Sequence, residues 1–233
     1  MESGPLSSPE FKEFAKTAVL FAHVTSRVPG EKYGNLLTEK GGQGFPYLVV
    51  LDAKGDIIGK PSGRSVDSFA ACVKAANTFA TLSAKGDLSK AEKVELLIAK
   101  IGLGKLDFAK AKAERESIGE LGAEDAKTVD DALVDLEVLD TLKTSAPKSP
   151  QDAAALGKTF HAMYQKGARP QGDQAYQAFY MLIIRHAEAE ANPEMFEIGL
   201  NAMKEKYGKM KQAAKFFQDQ EKKLAELKKK ASK

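Results

Sequence analysis

The stretch SAKGDLS, residues 83–89, divides the chain into two kinds of pattern. Before it, apolar runs bounded by Gly, Pro and Asp alternate with helix-period segments. After it, apolar residues recur every three to four positions through to the C-terminus. One fold class cannot satisfy both patterns. The expectation is an α/β domain over residues 1–82 and an all-α domain over residues 88–233. The length agrees, since 233 residues exceed a typical domain of about 100–150. Apolar residues make up 43% and charged residues 29%, so both parts can bury a core.

Within the first part, Ser8, Pro9 and Glu10 are a helix start: a capping hydroxyl, a proline at the first turn and a carboxylate at the positive end of the dipole. AVLFAHVTS, residues 18–26, predicts a strand that is apolar on both faces. A short helix is expected at 31–40. YLVVLD (47–52) and DIIGK (56–60) predict two more strands, joined by the turn Ala53–Asp56 as an antiparallel hairpin. Ser65 then caps a helix with Phe69, Cys72, Val73, Ala76, Phe79 and Ala80 on one stripe. The order helix–strand–helix–strand–strand–helix implies an α/β layer with a mixed sheet.

The second part predicts six or seven helices. Ser89 and Glu92 form a capping box before VELLIAKIG. Ser149-Pro150 and Asn192-Pro193 open two further helices. One between them carries Ala175, Ala178, Phe179, Leu182, Ile183 and His186 on a stripe. The last is expected to run on a seam of Met203, Tyr207, Met210, Ala214, Phe217, Leu224 and Ala231, interrupted by Glu221.

GGQGFPYLVVLDAKGDIIG, residues 41–59, places Pro46 directly before an apolar run, then a turn and a second run. Proline at the start of a strand removes no ladder bond. By itself the pattern also fits a trans proline that simply opens a strand. In this order of elements, however, residues 1–82 resemble the second half of the thioredoxin fold. MESGPLSSPEFKEFAKTAVLFAHVT also resembles the segment that follows Cys-x-x-Cys in bacterial thioredoxin-like proteins. The resemblance implies a cis peptide at Phe45-Pro46, with Gly44, Phe45, Pro46 and Tyr47 as a loop that contacts a substrate or peptide. It implies residues 47–52 and 56–60 as the third and fourth core strands, and 66–81 as the final helix. It also implies a first strand and a Cys-x-x-Cys upstream, which this sequence lacks. The expected sheet is therefore incomplete: either residues 18–26 and 47–52 close up and pair directly, or a partner chain, such as a second copy in a homodimer, fills the gap. LGKLDFAKAKAERESIGEL, residues 103–121, is similar to the helix–turn–helix junction of tetratricopeptide repeats. No exact period of about 34 residues recurs, and a generic helical bundle is the alternative.

With one cysteine, Cys72, dithiol exchange is excluded for these residues. The expected function is protein or peptide interaction without redox activity. The rivals are the C-terminal part of a thiol–disulfide oxidoreductase whose motif lies upstream of Met1, and a helical peptide-binding scaffold. No catalytic residue, metal site or cofactor is expected. His23, His161 and His186 show no metal-ligand spacing and read as packing residues. GKPSGR (59–64) departs from the phosphate-loop pattern. The net charge of +3 is too small to imply nucleic acid, and no apolar run approaches the roughly 18 residues of a membrane span. The basic tail EKKLAELKKKASK fits a helix C-terminus as well as an acidic surface. MESGPLSSPE has no signal-peptide character. Localisation is expected to be periplasmic or secreted if a signal precedes Met1, and cytoplasmic otherwise.

Overall fold

The structure, a computed structural model, describes residues 5–24 and 29–231. It divides into two compact units, Met1–Leu106 and Asp107–Lys233. The boundary falls inside the stretch 103–121 that resembles a repeat junction. Most of the chain is helical, with one small antiparallel sheet.

In the first unit, α1 (Pro9–Phe14) begins as expected: the Ser8 hydroxyl accepts from the amide of Phe11. α2 (Leu36–Glu39) is a single turn within the expected 31–40. β1 (Val50–Leu51) and β2 (Ile57–Gly59) form an antiparallel hairpin. Its turn is built by Asp52, whose carboxylate accepts from the amides of Lys54 (2.8 Å) and Asp56 (2.9 Å). Gly55 sits at φ +83°, which a residue with a Cβ would adopt only under strain. Those donors hold the Asp52 carboxyl below its ordinary range, the Asp56 amide most of all.

α3 (Val66–Ser83) is capped by Ser65 and buries Phe69, Cys72, Ala76 and Leu82. Ala80, expected on the same stripe, is exposed. α4 (Lys90–Gly102) carries the expected capping box of Ser89 and Glu92 and packs on α3. The Lys85 ammonium, followed by Ser89, lowers the Glu92 carboxyl to about 2. Because that folded value lies below the ordinary one, the contribution of this cap is present above pH 4.5 and lost as pH falls towards 2. Cys72, Ala76 and Leu103 make a small core against Val50, Ile58, Ala75 and Phe79.

The expected strand at 18–26 is absent from its described part, residues 18–24; Thr25 and Ser26 lie outside the described residues. Among the described residues the sheet has two antiparallel strands, so the expected mixed sheet is corrected, as is direct pairing with 47–52 for the described part, 18–24, of the expected strand 18–26. The physical reason is one of pairing. A strand is stabilised by a neighbouring backbone, and residues 18–24 have no ladder partner among the described residues. Most of their side chains face solvent: Val19 is 98% exposed and Phe21 68%, while Ala18 and His23 are half-buried.

The second unit contains α5 (Phe108–Ile118), α6 (Ala123–Ser145), α7 (Pro150–Gln165), α8 (Asp173–Ala189), α9 (Pro193–Tyr207) and α10 (Ala214–Ala231). α7, α8, α9 and α10 pack in chain order, and α6 also packs on α8. Ser149 and Asp152 form a capping box on α7, and Asn192 caps α9. The core is aromatic at its centre: Phe160, Phe179 and Phe196 are fully buried, and the rings of Phe160 and Phe179 stack at 5.3 Å. The N-cap of α8 is Gly172, which has no side chain to offer. Asp135 of α6 supplies it, accepting from the amides of Gln171 and Gly172, both at 2.8 Å. The last helix, expected as one element along the seam from Met203 to Ala231 with an interruption at Glu221, is instead divided between α9 and α10. Gly208 ends α9, and a 3-10 turn at Lys211–Ala213 intervenes, so Met210 is exposed.

Candidate functional site

The loop that joins α2 to β1 is tied at both ends. The Tyr47 hydroxyl donates to the carbonyl of Lys40 at 2.6 Å. The Lys60 ammonium, just after β2, lies 5.2 Å from the centre of the Tyr47 ring. With Tyr47 turned inward, Gly44 and Phe45 project outward, and Phe45 is 65% exposed. The Phe45–Pro46 peptide is cis.

Pro46 and Leu48 line a cavity of about 190 Å³ together with Pro5, Leu6, Arg64 and Phe69. The wall is apolar except for Arg64. Phe69 packs against Phe11 and Phe14, with ring centres at 6.3 and 6.1 Å. Arg64 precedes the cap of α3, and its loop is fixed by Ser68, whose hydroxyl accepts from the amide of Gly63 at 2.7 Å. The pocket therefore has in its lining one aromatic ring packed on two others, and one cation. Leu48 of its lining lies two positions before β1, and the edge of β1 that faces away from β2 has no strand among the described residues.

Of the four residues expected at this loop, the structure brings Pro46 to the pocket. It sends Phe45 to solvent, leaves Gly44 in open space and uses Tyr47 as an internal tie. Sequence reasoning missed Pro5, Leu6, Leu48, Arg64 and Phe69 as pocket residues. Phe69 reads as core because it lies on the α3 stripe. Arg64 reads as part of a failed phosphate loop. Only folding brings Leu6, Pro46 and Arg64 together.

Cys72 lies in the core at 5% exposure, and burial pushes its thiol up, away from the reactive thiolate. His23 pairs with Glu31 at 3.1 Å and stacks on Phe21. His161 and His186 lie near one another in the second unit, their ring centres 6.5 Å apart. Burial and then the neighbouring His186 push His161 down. His186 also lines a cleft of about 420 Å³ with Pro150, Ala154, Lys158 and Glu190. Lys158 and Glu190 oppose each other in sign there, so the cleft selects no ligand charge. Among the described residues no group of three or more His, Cys, Asp or Glu could hold a metal. Among them, too, no helix is long and apolar enough to cross a membrane. No family model matches the chain, and no curated protein or solved structure does either.

Proposed function

We propose that this chain is a protein-interaction module, built on a thioredoxin-like first unit, that takes an extended polypeptide at the Pro46 loop. The observation that carries the reading is the apolar pocket lined by Pro46 and Leu48, the latter leading into β1, whose outer edge no described strand covers. An extended segment laid along that edge satisfies backbone donors and acceptors while one of its side chains fills the pocket. Exposed Phe45 adds contact area at the rim. Dithiol exchange has no part in this reading, because it needs a second thiol and Cys72 is buried.

A displayed library of random heptapeptides, panned on the full chain, tests it. Selected peptides are expected to shift the amide resonances of residues 44–48, 64 and 69. Failure to enrich any sequence, or shifts confined to residues 107–231, overturns the reading.

The run Val19, Leu20, Phe21 and Val24 favours a second reading. Large exposed apolar side chains gathered on one segment mark an interaction surface. Here another copy of the chain covers that segment and completes the sheet. Sedimentation then shows a dimer that Phe21→Glu dissociates. A monomer at all accessible concentrations removes this second reading and leaves the first intact.

A further inference from the structure

The pocket under Pro46 also specifies what kind of segment it takes. Its volume of about 190 Å³ is below the roughly 300–1,000 Å³ of small-molecule sites. It holds one side chain, not a cofactor. Five of its lining residues are Pro5, Leu6, Pro46, Leu48 and Phe69, so that side chain is apolar. The sixth is Arg64, an exposed guanidinium at the same mouth. Lys60 adds a second positive charge near the loop, over Tyr47. The complement of this surface is an apolar anchor with a carboxylate beside it.

Strand geometry sets where that carboxylate lies. Along an extended chain, neighbouring side chains point to opposite faces and residues two apart share one. A residue next to the anchor points away from Arg64. A residue two positions from it lies on the same face, within reach of a long guanidinium side chain. Leu48 lines the pocket and stands just before β1. A segment that pairs with β1 and extends past its start towards Leu48 meets the pocket partway along its length, so an internal carboxylate side chain is favoured over a chain terminus. We infer that this site selects an extended, internal peptide segment in which an aliphatic side chain fills the Pro46 pocket and an acidic residue two positions away pairs with Arg64. This inference rests on the peptide-binding reading above.

Fluorescence anisotropy on the full chain tests it with four labelled, end-capped heptapeptides. The probe is Thr-Glu-Thr-Leu-Thr-Glu-Thr, which places acids two positions to either side of the anchor. The second replaces both Glu by Lys, and the third replaces Leu by Ser. The fourth, Thr-Thr-Glu-Leu-Glu-Thr-Thr, has the same composition with the acids moved next to the anchor. An exposed ion pair is worth little, so the expected preference for the probe over the lysine and moved-acid peptides is about fivefold. The serine peptide binds more weakly than the probe. Arg64→Glu is expected to reverse the order of the glutamate and lysine peptides. Arg64 is exposed, so the variant folds, and its unchanged thermal midpoint verifies this.

Equal binding of the probe and the moved-acid peptide overturns the inference, since the net positive charge of the chain then explains the attraction. So does an order that Arg64→Glu leaves unchanged. If all four peptides bind alike and perturb Phe45 and Leu48, the acidic preference falls and the peptide-binding reading stands. If none binds and the random library enriches nothing, both fall.

Discussion

Gly157→Ala lowers the thermal midpoint of the second unit by roughly 10 °C or more, measured by circular dichroism on the full chain. Gly157 lies on the buried face of α7 where that helix meets α8. A Cβ built there falls 2.0 Å from the carbonyl oxygen of Leu182 and 2.8 Å from its carbonyl carbon. The obstacle is backbone, so no rotamer change relieves it. The Cβ of His186, also at 2.8 Å, cannot swing away either, because it is fixed to the same helix. The two helices must separate, and the cost spreads to Leu156 and Phe160 on the same face of α7. Overpacking of this kind costs about 3 kcal/mol. A midpoint equal to that of the unmodified chain would show that α7 and α8 do not approach so closely.

Phe179→Ala has an effect of similar size by the opposite route. The ring is fully buried, stacked on Phe160 at 5.3 Å and edge-on to Tyr180 at 5.2 Å. Truncation removes both ring contacts and leaves a cavity that three packed helices cannot close. The expected loss is about 4 kcal/mol, or roughly 15 °C in the midpoint of a unit this size. Phe45→Ala is the internal comparison. That ring is 65% exposed, and its loss changes stability by about 0.5 kcal/mol or less. Equal thermal shifts for Phe179→Ala and Phe45→Ala would contradict the packing described for α8.

What the sequence made legible was local chemistry. Ser65, Ser89, Ser149 and Asn192 mark the starts of α3, α4, α7 and α9, because a cap and its helix are adjacent in the chain. The turn at Ala53–Asp56 was readable for the same reason. Residues 18–24 misled because a strand depends on a partner that sequence pattern does not show. AVLFAHV has the composition of a buried strand, yet no described strand lies beside it. The break at Gly208 was hidden by a seam whose spacing continues across it. The expected loop Gly44–Tyr47 contributes Pro46 to a pocket lining. The pocket itself was not legible, since Leu6, Pro46 and Arg64 are distant in sequence and meet only in the folded unit.

The carboxylate of Asp135 has a consequence for how the second unit comes apart. It caps α8 from α6, across 36 and 37 positions of chain. A side chain within its own first turn would let α8 hold its N-terminus by itself. Borrowing the cap from α6 removes that independence. When α6 swings free, two amides at the mouth of α8 lose their acceptor together and the first turn of α8 frays. When α8 frays, a half-buried carboxylate loses the donors that offset its burial. Each event therefore raises the chance of the other, so that α6 and α8, which also pack on one another, loosen as one cooperative block.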